Sequence, residues 1–184
     1  MLLIFWILII VGVLLMFIFL GYFNKFVLLG NRIDNSLSQI NVQLKRRADL
    51  IPNLVESVKG YMKHEKAAIK AVTDARKVLM GAKGVEQKVE ANKQLESALK
   101  TIFALAENYP DLKANTNFIE LQRELVATED KIAYARQFYN DSILTYNNLC
   151  KTFPGVLFAN LYGKKAREYL QITESEKKKV DVKF

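Results

Sequence analysis

The sequence predicts an all-α protein whose N-terminal helix crosses a membrane and continues into a helical domain. Three observations carry this. Residues Met1–Phe23 hold no charged side chain and are almost all Leu, Ile, Val, Phe, Met or Trp. Beyond them glycines are few and prolines number only three, Pro52, Pro110 and Pro154. The stretches between are rich in Ala, Glu, Lys, Leu and Gln, punctuation too sparse for a β-sandwich. Apolar residues recur at spacings of three and four, and no segment alternates as a half-buried strand does.

The anchor, residues 1–23, comes first. At about 1.5 Å per residue, Leu2–Phe23 covers roughly 33 Å, enough for a hydrocarbon core of about 30 Å. Trp6 and Tyr22 lie toward its two ends, where amphipathic rings favour the interface. A cleaved signal peptide needs a basic n-region, a short apolar core and a small-residue cleavage site, and none is visible. No cysteine near residue 20 could take a lipid, so the expectation is a retained single-pass anchor. No positive charge precedes it, whereas Lys25 and Arg32 follow closely and Lys45, Arg46 and Arg47 come later. The positive-inside rule then places the helical domain in the cytoplasm and the N-terminus outside, at the cytoplasmic membrane.

The domain, residues 24–172, divides into four helices followed by a polar basic tail at 173–184. The first helix is expected over 24–80. Its seam runs through Ile33, Leu37, Ile40, Leu44, Ile51, Leu54, Val58 and Tyr61, with Arg47 as an exception. Beyond Tyr61 the stripe shifts to Met62, Ile69, Val72, Arg76 and Leu79. Pro52 removes a donor within this run and predicts a kink or break near Leu50–Ile51. Gly81 and Gly84 are suited to its end. The second helix, 85–107, carries Val85, Val89, Leu95, Leu99, Ile102, Phe103 and Ala106, and stops at the turn formers Asn108–Asp111. Asn117 with Glu120 reads as a capping pair opening the third helix, 117–149, which has the most regular period. Phe153-Pro154-Gly155 ends it, and a fourth helix is expected over 155–171.

Several of these runs also resemble a known family. Gln43-Leu-Lys-Arg-Arg-Ala-Asp-Leu-Ile-Pro-Asn-Leu-Val55, then Val58-Lys-Gly-Tyr61 and His64-Glu65, is similar to the signature of the LemA family. Asn108-Tyr-Pro-Asp-Leu-Lys-Ala-Asn115, Thr128-Glu129, Ile132-Ala133, Ala135-Arg136 and the pairs Tyr139-Asn140 and Tyr146-Asn147 continue the resemblance, which covers essentially the whole chain. Ala48 stands where the pattern has histidine and Asp130 where it has asparagine. The resemblance implies a bacterial-type membrane protein, an up-and-down four-helix bundle and no enzyme activity.

Charge and chemistry narrow the function classes. The formal net charge is +8, but basic residues are interleaved with acids and cluster only at Lys45–Arg47 and Lys177–Lys179. For a tethered chain the nearest anionic surface is lipid, not nucleic acid. Cys150 and His64 are single, with neither CxxC nor HExxH, and Gly81–Gly84 lacks phosphate-loop spacing. No catalytic residue, metal ligand or cofactor is therefore assigned. Arg47 falls on the apolar seam, where an unpaired charge costs several kcal/mol. It is expected to join Asp49, Asn53, Glu129, Arg136 and Asn140 in a polar latch that fixes helix register, with a ligand site as the alternative. Tyr139 and Tyr146 lie on the core stripe and are expected to pack, not to stack on a ligand. Lys164, Lys165, Arg167 and Lys177, Lys178 and Lys179 are candidate lipid contacts. By helix lengths, the lowest turns of the first helix have no partner within the chain, so Ile33 and Leu37 are expected to pack in a homo-oligomeric stalk.

The function expected from these features is a non-catalytic, membrane-anchored helical scaffold that self-associates and organises the membrane or proteins at its surface. The alternatives are a ligand or signal receptor with a polar site inside the bundle, and an adaptor for a membrane protease or transporter. The partners expected are membrane lipid, other copies of the chain and a membrane protein, with no nucleic acid.

Overall fold

A computed structural model describes residues 1–170, which are helical with no strand among them. The helices are α1 (Leu2–Lys59), α2 (Lys66–Gly81), α3 (Val85–Ala106), α4 (Pro110–Lys113), α5 (Thr116–Lys151) and α6 (Gly155–Leu161). They form two compact units, one of Met1–Ser36 with the described part of Phe138–Phe184, the other of Leu37–Gln137. The long helices α1 and α5 contribute to both. Residues 1–21 of α1 are exposed throughout, and the helix is long and apolar enough to cross a membrane.

In the Leu37–Gln137 unit, α1 carries Ile40, Leu44, Ile51, Leu54 and Val58 into a core with Leu95, Leu99 and Ile102 of α3 and Leu125 and Ile132 of α5. Tyr61 is left exposed and Leu37 is half-buried. The break expected near Pro52 lies instead at Gly60–Glu65, and α1 runs unbroken through the proline. Pro52 has no N–H to give the Ala48 carbonyl four residues back. Arg76 on α2 fills that vacancy, its Nε donating to Ala48 O at 2.8 Å. At Gly60 the turn closes with the Tyr61 and Met62 N–H groups both reaching Val58 O. Met62 is wholly buried, and the chain turns back into α2, which packs on α3. Two further corrections concern ends. The Asn108–Asn115 connection contains the short α4, whose Leu112 is wholly buried. α5 opens on Asn115, not Asn117: Asn115 Oδ1 accepts from the Phe118 N–H at 3.2 Å.

In the other unit, Phe26, Leu29 and Ile33 of α1 form one core with Ile143, Tyr146, Leu149 and Cys150 of α5 and Ala159 of α6. This corrects the stalk argument: Ile33 is 1 % exposed and covered by its own chain. The length estimate missed the turn at Gly60–Glu65. That turn adds one more pass of chain, so α5 runs back along these α1 residues. The fourth helix ends at Leu161, ten residues short of the expected bound. Gly163 has a φ of +63°, and the Gly163 and Lys164 N–H groups bond Asn160 O and Ala159 O, a Schellman cap. Gly155 is fixed by close approach: a Cβ there would lie 2.2 Å from Leu149 O.

Candidate functional site

The most buried charge in the Leu37–Gln137 unit is Arg47, 3 % exposed. Its Nη1 ion-pairs with Glu129 of α5 and donates to Asn92 Oδ1 of α3 at 3.0 Å. Three helices thus meet on one guanidinium, whose rigid fork suits more than one acceptor. Burial of this kind is tolerated only with a partner, because removing one leaves an uncompensated charge. Around it lie exposed pairs, Arg46 with Glu124 at 2.7 Å and Lys45 with Asp49 at 2.6 Å. Lys88 Nζ donates to Asn41 Oδ1 at 2.8 Å.

Of the residues expected in the latch, the structure brings Arg47 and Glu129 together. Asp49 and Asn53 point to solvent, Asp49 on Lys45 and Asn53 accepting through its carbonyl from the Ser57 hydroxyl. Arg136 is half-buried in the same unit. Asn140 belongs to the other unit, where its amide pairs with the Leu170 backbone. Asn92 was not expected. It lies three residues from both Val89 and Leu95 on the apolar stripe of α3, the same polar-on-seam signal that singled out Arg47.

The expected lipid contacts divide likewise. Lys164 and Lys165 are exposed. Arg167 instead pairs with Asp34 at 3.2 Å and lies over the Tyr146 ring at 5.3 Å. Lys177, Lys178 and Lys179 lie outside the described residues. What sequence reasoning missed is the apolar surface that α6 leaves in the open: Leu157 and Leu161 are 58 % and 67 % exposed, and Phe153, in the turn just before the helix, is 81 % exposed. The neighbouring side is docked on the last apolar turns of α1. Phe158 stacks on Tyr22 at 4.3 Å, and the Tyr162 hydroxyl donates to Phe19 O at 2.6 Å.

The two lone reactive groups belong to different units. Burial pushes the Cys150 thiol up, so it stays protonated beside Tyr146. His64 is exposed, on the rim of an open hollow with Lys59, Lys63 and Lys66. Among the described residues no cluster of His, Cys, Asp and Glu could hold a metal.

Comparison with known proteins gives a consistent answer. The LemA family profile matches residues 36–184. The chain is 28 % identical to Protein LemA of Metamycoplasma hominis over 138 residues, 74 % of this chain and 63 % of that protein. It is 25 % identical over 175 residues to Magnetosome protein MamQ 2 of Paramagnetospirillum magneticum, covering 81 % of this chain and 64 % of the relative. With Magnetosome protein MamQ of Magnetospirillum gryphiswaldense it shares 27 % identity over 173 residues, 80 % of this chain and 64 % of that one. The chain thus spans less than two thirds of the length of these relatives.

Proposed function

The chain belongs to the LemA family, and from that premise we propose that it is a non-catalytic, membrane-anchored scaffold that self-associates and organises the membrane or proteins at its surface. The observation that carries this reading is α6. Phe158 and the following Tyr162 hold the end of the anchor, while Leu157 and Leu161, with Phe153 just before the helix, stay uncovered. An amphipathic helix docked where an anchor leaves the bilayer rests its apolar face among acyl chains and headgroups. Lys164 and Lys165 follow directly and add attraction to anionic lipid, each contributing about 1 kcal/mol near the surface. Lys25 and Arg32, which closely follow the anchor, favour a cytoplasmic domain at the cytoplasmic membrane. The similarity to magnetosome proteins supports a role at a membrane. Copies held in one bilayer meet at high effective concentration, which favours self-association.

The test is the mass of the full chain extracted in mild detergent and in lipid nanodiscs. A species of two or more chains, with no hydrolase or transferase activity, is the expected result. A monomer at all concentrations contradicts the scaffold reading.

A further inference from the structure

Residues 164–170 follow α6 without helical structure, and their backbone is held by two asparagines of α5. Asn147 Nδ2 donates to Arg167 O at 2.8 Å while its Oδ1 accepts from the Arg167 N–H at 2.8 Å. Asn140 repeats the pairing one step on, Nδ2 to Leu170 O at 3.1 Å and Oδ1 from the Leu170 N–H at 3.0 Å. A carboxamide is the side chain that offers one acceptor and two donors in a plane, so it can satisfy both polar groups of a single residue. The two spacings match. Seven residues of α-helix rise about 10.5 Å, and three residues of extended chain cover about 10 Å. The segment therefore runs antiparallel to α5 with successive rungs in register, Asn147 on Arg167 and Asn140 on Leu170.

Such pairing reads backbone, not side chains, so it accepts any extended chain. Selectivity comes from two flanking features. The Arg167 guanidinium sits between the Asp34 carboxylate, 3.2 Å away, and the face of Tyr146 at 5.3 Å, an anionic and aromatic seat for a cation. Leu170 is 6 % exposed. The residues between, Glu168 and Tyr169, are exposed and contribute little to the fit.

We propose that this face of α5 is a binding site for an extended segment of another polypeptide, with a basic residue followed three positions later by a large apolar one. Residues 164–170 occupy it in cis as an internal competitor. Residues 163–169 are exposed and Leu170 is the one buried side chain among residues 164–170, so release uncovers few contacts. The inference deepens the scaffold reading by giving it a partner chemistry.

The experiment is fluorescence anisotropy of a labelled synthetic peptide with the sequence of residues 164–170, titrated with the full chain in detergent. Arg167→Ala with Leu170→Ser weakens the competitor and leaves the site, so the peptide should bind that variant at least about tenfold more tightly than wild type. Adding Asn140→Ala and Asn147→Ala should abolish binding while circular dichroism shows helicity retained. Equal binding to wild type and to the weakened variant, undiminished binding without the asparagines, or no binding to any variant overturns the proposal. The peptide needs no oligomer. A monomeric chain that binds it supports the site and rejects self-association, and an oligomer that ignores it does the reverse.

Discussion

Arg47 and Asn147 are equally buried, each 3 % exposed, yet they are satisfied in opposite ways. Arg47 meets side chains from two other helices, Glu129 and Asn92, and carries a charge that the core cannot leave alone. Asn147 meets only backbone, is neutral, and its partner is a segment whose neighbouring residues are exposed. The first arrangement joins three helices on one buried charge, which loses its compensation if a partner is removed. The second pairs one carboxamide with both peptide groups of a single residue, Arg167. Buried polarity in the Leu37–Gln137 unit is turned on other helices, and in the other unit it is turned on the backbone of residues 167 and 170.

That contrast has consequences for stability. Arg47→Ala should cost the most, about 3 kcal/mol, because it orphans Glu129 and Asn92. Glu129 keeps 35 % of its surface in water, which places the cost at the low end for a broken buried pair. Arg47→Met, which preserves volume, should be milder, and Asn147→Ala should fall between, near 2 kcal/mol for two lost hydrogen bonds. Urea denaturation of the full chain in detergent, followed by circular dichroism, checks the order. If Asn147→Ala costs as much as Arg47→Ala, the distinction between a lock and a clamp fails.

A smaller effect sharpens the account of the latch's own helix. Arg76→Ala should cost about 1 kcal/mol, since Ala48 O then has no donor. In a Pro52→Ala background the new N–H can serve that carbonyl, so the same substitution should cost little. A double-mutant cycle with no coupling between positions 52 and 76 rejects Arg76 as the substitute donor.

Much of this was legible in the sequence, and the failures have physical reasons. The helices of the Leu37–Gln137 unit follow from their apolar stripes, and Arg47 stood out because a cation on a seam demands a partner. The Gly60–Glu65 turn appeared only as a shift in stripe phase after Tyr61, while Pro52 drew attention to a site where Arg76 makes the proline harmless. Missing that turn cost one pass of chain and left Ile33 without its actual cover of α5 and α6 residues. Asn140 and Asn147 were singled out, Asn140 for the latch and both for the family resemblance, but nothing in the sequence pointed to their partners. Their partners are peptide groups, which every residue has, so no complementary residue type marks the other half of the contact. Likewise the α6 stripe could be seen as apolar, but which of its faces docks on Tyr22 was settled only in three dimensions.

The central claim, that the unit carrying the anchor rests on lipid through α6, is tested most directly by depth-dependent fluorescence quenching. Trp6 is the only tryptophan, so Trp6→Phe with Leu157→Trp places a single reporter on the exposed stripe. Reconstituted in vesicles containing brominated lipids, the full chain should show strong quenching at position 157, with maximal effect from bromines near the headgroup end of the acyl chain. A reporter that brominated lipids leave bright and that aqueous iodide quenches would contradict the account.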